Sequence, residues 1–286
     1  MQTKQRQMLR ALINCYYRGS AETLMAGMAK EDVDAVTSLP LTMADPAAAI
    51  ILPEKCISNS IHYSWFGELI QNMSSQLQPL YISVLPQNVI PRVQQQINSK
   101  EPLHTPSPIA KKYLSTLLVK KIQITDITPI AFLPAEPLTT LASFPKEQLI
   151  LIADFLSLHD LGEEIKTILD THKLQKIYNC LSTPQQQYLK TCLHQKTKSQ
   201  SPKIGLANWQ GNEEELKRLL HRRGLQRLAY ALSGHNQDLL WHITHRLDTG
   251  RGRIIEKNFS SKEIPQTTLP MRQHVINIIN IFKKSG

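Results

Sequence analysis

His242 and His245 stand one helical turn apart, and His221 and His235 lie close by in the chain. Imidazoles at that spacing share a helix face, the arrangement a zinc ion uses when further nitrogen, sulfur or carboxylate ligands converge on it. No Cys or acidic motif accompanies these histidines, so a polar, solvent-facing stripe opposite Leu240 and Ile243 is expected, with no bound metal. The cysteines, Cys15, Cys56, Cys180 and Cys192, show no CxxC spacing and read as separate reduced thiols. Acyl transfer has no better basis. Ser64 and Ser233 each have a histidine two residues away, but the GxSxG turn is missing and no Ser/His/Asp set can be assembled. The run TGRGR at 249–253 suggests a phosphate cradle, since glycine-rich turns present backbone N–H groups to anions. It lacks the Gly-Lys-Ser/Thr ending and follows a helical pattern where a P-loop follows a strand, so it is expected to be a plain loop that ends a helix. No catalytic residue, cofactor or small-molecule substrate is therefore expected.

What remains is the chemistry of contact. Arg222, Arg223, Arg227 and Arg246 join Arg251 and Arg253 in one stretch, and together they are expected to form a basic surface. Such a surface faces an acidic protein or nucleic-acid phosphate, or is simply solvated. Tyr63, Trp65 and Phe66 make an aromatic knot in HYSWF. Phe144 precedes, and Phe155 and Leu156 lie on, the apolar helix that follows FPKE. Side chains of these types fill a core or anchor a protein contact, and with the six arginines they are the candidate partner-binding residues.

The charge is unevenly placed. From Lys196 onward 16 Lys+Arg face 7 Asp+Glu, so that nearly all of the net +10 sits in the last third. A field of one sign steers whatever carries the other, whether nucleic acid, an anionic membrane surface or an acidic protein. At 286 residues and 41% hydrophobic, the chain can bury a core in each of two or three units. No apolar run reaches the roughly 18 residues of a membrane span, and MQTKQRQMLR introduces no signal-peptide pattern, so a cytoplasmic location is expected.

Positioning these residues falls to helices. Strand alternation is sparse and Asn-Gly or Asp-Gly turns are absent, whereas Pro recurs where helices would begin, in LPQNVIPRVQQQI, FLPAEPLTTLASF, FPKEQLILIADFL and STPQQQYLKTCL. The expected architecture is all-α: stacked short helices in two or three helical units. Composition divides the chain into an N-terminal segment at 1–45, a helical unit at 46–100, a second at 109–194 and a basic third at 204–286. SKEPLHTPSP and the polar stretch at 195–203 serve as linkers. In the last unit, Leu216, Leu219 and Leu220 share a face, and Gly224 is expected to stop that helix. Leu225, Leu228, Ala229 and Leu232 form the next apolar stripe, up to Gly234. Asn236 is placed to cap a helix carrying Leu239, Leu240, Ile243 and Leu247.

The stretch LKRLLHRRGLQRLAYALSGHNQDLLWHITHRL resembles the C-terminal part of FliG, the flagellar rotor-switch family: a helix of the LxxLL kind, then LxxALxG, then a further helix. MRQHVINII stands where that family returns with a Gln-containing apolar helix, and the likeness covers about 213–281. A second likeness covers 127–193, where Phe144, Pro145, Lys146 and Glu147 stand near the place of the family's Glu-His-Pro-Gln motif. SIHYSWFGELI is similar to the opening of accessory proteins in the injectisome's cytoplasmic sorting platform. The resemblance implies an armadillo-like stack of helices that builds a ring.

The departures bear on function. Where the family carries a cation before the Gly of ALxG, this chain has Ser233. Lys257 and Asn258 fall in place of an acidic pair, Gln266 or Thr267 in place of an Arg, and the hinge Gly-Gly is absent. Charges that mesh with a stator are missing or reversed, so the resemblance implies assembly without rotation. The expected role is thus a scaffold or adaptor in the cytoplasmic ring or sorting platform of a type III secretion system, at most peripheral to the inner face of the inner membrane. Its expected partners are other ring proteins and further copies of itself. A basic helical-repeat protein that binds nucleic acid is the alternative.

Overall fold

The computed structural model describes residues 6, 9–10, 13, 21–38, 60–99, 101–103, 105–122, 127–194 and 204–285. Cys15, Cys56 and the linker at 195–203 lie outside the described residues, as do 39–59, which hold the start of the unit expected at 46–100. Among the described residues all regular structure is helical, as the proline punctuation predicts: thirteen α-helices and three 3-10 helices, with no strand. None of these helices is long and apolar enough to cross a membrane.

The chain divides into two compact units, Met1–Pro134 and Ala135–Gly286. In the first, α1 (Ala21–Met25) and α2 (Lys30–Thr37) precede α3 (Tyr63–Gln71), α4 (Gln78–Ser83), α5 (Ile90–Ile97) and α6 (Pro108–Ile122). An Arg6–Asp32 ion pair at 2.8 Å joins Arg6 to α2. Pro79 and Pro91 occupy first-turn positions of α4 and α5, where a missing N–H costs nothing. Asn98, at φ 54°, ends α5 in the left-handed conformation that Asn tolerates. α3 packs on α4, α5 and α6, burying Phe66, Ile70, Ile82 and Val93 completely.

The second unit holds the 3-10 turn at Pro137–Ser143, then α7 (Lys146–Ile165), α8 (Thr171–Asn179), α9 (Thr183–His194), α10 (Glu213–Leu232), α11 (Gln237–Arg246), α12 (Thr249–Asn258) and α13 (Pro265–Ser285). Side-chain oxygens accept from first-turn N–H groups at Asp170, Asn212, Asn236 and Asp248, so four helices begin where an Asx residue can satisfy orphan donors. The cap expected at Asn236 is among them. α7 and α10 form the centre: α7 meets α9, α10 and α13, and α10 meets α12 and α13. A helix with neighbours on several sides must be apolar nearly all round, and α7 buries Leu149, Ile152, Ala153, Phe155, Leu156, Leu158 and Leu161. The division after Pro134 falls inside the segment expected at 109–194. α6 falls in the first unit, and among the described residues from Ala135 onward α7 and α10 each cover the other's apolar face at the centre of the second.

Gly224 does not stop a helix. α10 runs unbroken from Glu213 to Leu232, and Gly224 marks the point where α10 crosses α7 most closely. A Cβ there would lie 1.7 Å from the carbonyl oxygen of Ala153, so the helix crossing, not chain reversal, requires glycine. TGRGR is likewise no terminating loop but the first turn of α12, with the Asp248 carboxylate accepting from Arg251 N.

Candidate functional site

The chemistry-bearing side chains of the second unit gather in its interior. Asp160 on α7 accepts from two guanidinium groups of α10: Arg223 Nε at 2.5 Å and Arg227 Nη1. Arg227, fully buried, extends its Nη2 to His274 Nδ1 on α13 at 2.7 Å. The His274 ring stacks on His159 of α7, with centroids 3.7 Å apart and planes 7° from parallel. His159 Nε2 in turn meets the Tyr188 hydroxyl of α9 at 3.0 Å, and its Nδ1 lies 3.7 Å from Cys192 Sγ. Phe155 closes the group with ring contacts to Tyr188 and Phe282. One polar chain thus joins α7, α9, α10 and α13.

A cysteine beside a histidine is the pattern of a thiolate nucleophile, and the electrostatics here run the other way. Burial pushes the Cys192 thiol up to about 12. Burial, with the adjoining His274 ring and the Arg227 charge, holds His159 down to about 2. An activated thiol needs a depressed pKa and a cationic neighbour. This pair is neutral on both sides, and its atoms serve packing and hydrogen bonding. His274 is also depressed, to about 4, by burial first and then by Arg227.

A second chain of charges is half-buried along α7, α10 and α12. Asp154 Oδ1 lies 2.6 Å from His221 Nδ1, and His221 Nε2 accepts from Arg251 Nε at 2.7 Å. That geometry puts the imidazole proton on Nδ1. Arg251 Nη1 then reaches Asp248, which Lys146 approaches at 3.4 Å. At the other end of α7, Glu164 accepts from the backbone N–H groups of 204, 205 and 206 at 2.5, 3.1 and 2.6 Å. Those N–H groups form a nest around an anion, and the anion is supplied by the protein itself. The C-terminal turn of α10 is closed by Arg272, which donates to the carbonyls of Ala231 and Ser233, where cationic donors suit a helix end.

These contacts redistribute the residues expected to bind partners. Arg223 and Arg227 are not on a basic surface: both lie inside against Asp160, because α10 turns that face toward α7. Arg251 is engaged with Asp248 and His221, and Arg246 is half-buried, which lowers its pKa. Arg222 and Arg253 are exposed. Phe66, Phe155 and Leu156 are core residues; Tyr63, Trp65 and Phe144 are half-buried. Tyr63 rests against His62 and lies under Arg92, whose guanidinium carbon is 5.6 Å from the ring centroid. His242 and His245, expected to face solvent, are both buried at 7% exposure, and His245 stacks on Trp241. Among the described residues no cluster of three or more His, Cys, Asp or Glu is placed to hold a metal.

No protein-family model, no curated protein and no solved structure matches this chain. The site must speak through its own geometry.

The buried imidazoles carry a prediction about pH. Burial holds His245 down to about 4, alongside His274 at about 4 and His159 at about 2, against an ordinary value of 6.5. A histidine depressed by folding contributes its full share of stability above 6.5. Below that value the unfolded chain takes up a proton that the folded chain refuses, and the contribution drains away as pH falls toward the folded value. Each such group adds a slope of about 1.4 kcal/mol per pH unit, and the stacked pair titrates jointly. The urea midpoint of the second unit, read by Trp209 and Trp241 fluorescence in a Trp65→Phe background, is expected to drop steeply between pH 6.5 and 4.5. His245→Phe should flatten that slope by about one proton's worth. A midpoint independent of pH over that window contradicts the burial of these rings.

Proposed function

We propose that this chain is a non-catalytic scaffold or adaptor in the cytoplasmic ring or sorting platform of a type III secretion apparatus, built from FliG-like, armadillo-like stacked helices. The observation that carries the reading is how the FliG-like pattern packs. Leu216, Leu220, Leu228, Ala231 and Leu232 of α10, Leu239 and Ile243 of α11, and Val275, Ile278 and Ile279 of α13 are all buried in one core. α13, which contains MRQHVINII, returns onto α10. The ionisable groups support the same reading from the other side: Asp160, Arg223, Arg227, His159 and His274 are spent in joining helices to one another. Ser233, in the position of the family's torque cation, is 2% exposed and caps a turn by accepting from Ser260 N. A motor contact needs exposed charge there, so the chain is suited to assembly and not to transmission of torque.

The nucleic-acid alternative loses ground on the arginines, since Arg223 and Arg227 are withdrawn from solvent and Arg251 is paired. Affinity purification of the tagged full-length chain from its native host separates the readings. Recovery of the export ATPase or ring proteins in a complex that survives 200 mM salt is the expected result. Duplex binding that collapses between about 50 and 200 mM salt, with no ring protein recovered, would overturn it.

A further inference from the structure

We propose that the outward face of α6 is a docking surface for an acidic amphipathic segment of another protein. Ile109 is 84% exposed and Tyr113 63% exposed, two large side chains one helical turn apart on the same face. Ile109, Tyr113, Thr116 and Lys120 follow at i, i+4, i+7 and i+11, so they form one stripe along the helix, with Lys112 beside it. The opposite side of α6 is where Leu118, Val119 and Ile122 bury into the first unit. α6 therefore has apolar side chains on two faces, and only one of them is covered.

Charge states what the second face would take. α6 carries Lys111, Lys112, Lys120 and Lys121, all exposed, and no acidic residue. One of these lysines, Lys111, falls in the first turn, where the helix dipole disfavours cations, and Lys112 follows it directly. α10, by contrast, fills that turn with Glu213, Glu214 and Glu215. A local rule broken at a helix surface, beside exposed Ile and Tyr, marks a place shaped for a partner rather than for the helix itself. The partner that satisfies it presents an apolar residue to Ile109 and Tyr113 and carboxylates to Lys112 and Lys120. An anionic bilayer fits less well: the stripe offers only Ile109 and Tyr113 as large apolar side chains, little area to bury at an interface, whereas a peptide can match them one for one and pair its carboxylates with Lys112 and Lys120. This assignment holds whichever assembly the chain serves.

The test uses the full-length chain with a photo-reactive benzoylphenylalanine at position 113, irradiated in the native host, with the cross-linked residue mapped by mass spectrometry. The expected product joins position 113 to a segment of a different protein that combines apolar residues with Asp or Glu. The Lys112→Glu/Lys120→Glu variant should lower its yield about tenfold, and reversing the acids of the mapped segment should restore it. All of these positions are exposed, and an unchanged circular-dichroism melt confirms that the variants fold. Cross-linking to lipid, to a second copy, to this chain's own residues or to a segment without acids overturns the proposal. So does flotation of the wild-type chain, lost in the double variant, with vesicles of phosphatidylserine and phosphatidylcholine, and so does the absence of any product. Recovery of ring proteins in the purification above remains a separate readout, so either idea can fail alone.

Discussion

Gly224→Ala is expected to destabilise the second unit by more than about 3 kcal/mol, although alanine is the better helix former by nearly 1 kcal/mol in a free helix. The two terms are far from balanced. The propensity gain is local, while the added methyl would overlap the carbonyl oxygen of Ala153, 1.7 Å away, on a helix that cannot move without disturbing Leu149, Ile152 and Leu156 beneath it. The obstacle is backbone, so no rotamer change relieves it, and replacing the Ala153 side chain would not help. Gly250 provides the opposite sign in the same molecule. It lies exposed in the first turn of α12, and its added Cβ would meet only Asp248 Oδ1 at an ordinary 3.5 Å. Gly250→Ala should therefore stabilise by a few tenths to 1 kcal/mol. Urea denaturation of the two variants beside the parent, read at Trp209 and Trp241, checks both. Equal effects of the same sign would show that α7 and α10 do not cross at Gly224.

The misreading of Gly224 shows where the sequence is legible and where it is not. Apolar spacing depends on which residues share a helix face, and it placed Leu225, Leu228, Ala229 and Leu232 in the core, where all four are fully buried. The Asx caps depend on a single side chain and its next two or three N–H groups, and Asn236 followed the rule. Arg-Arg-Gly is ambiguous for the same local reason: it fits a helix end, and it also fits a close crossing whose other half, Ala153, lies far away in sequence. The arginines repeat the lesson. Arg223 and Arg227 read as surface charge until Asp160 is brought against them from α7, a pairing that no spacing within α10 announces. An available signal was His159-Asp160, a polar pair within the mostly apolar run LILIADFLSLHDL of α7. A buried charge there demands a partner, although its identity is fixed only by the fold.

That demand sets the second large effect. Asp160→Ala removes the carboxylate from between two guanidinium groups that are 7% and 0% exposed, and leaves like charges facing each other in the interior. The expected cost is about 3 to 5 kcal/mol, a large part of the 5 to 15 kcal/mol that holds a typical domain. The ion cluster need not be what makes the unit stable, because desolvating three charges offsets most of their attraction. A variant with Asp160→Leu, Arg223→Leu and Arg227→Met together is expected to recover most of the loss, short of a residual cost for His274, whose Nδ1 then lacks its donor. What the triple variant should not recover is register. Asp160, Arg227 and His274 fix α7, α10 and α13 by directional bonds, and hydrocarbon in their place is indifferent to a slide between helices. Amide hydrogen exchange separates the two properties: the triple variant should melt near the parent yet exchange faster along α13. If Asp160→Ala alone melts like the parent, the guanidinium groups are reaching water, and Asp160, Arg223 and Arg227 form no buried network in solution.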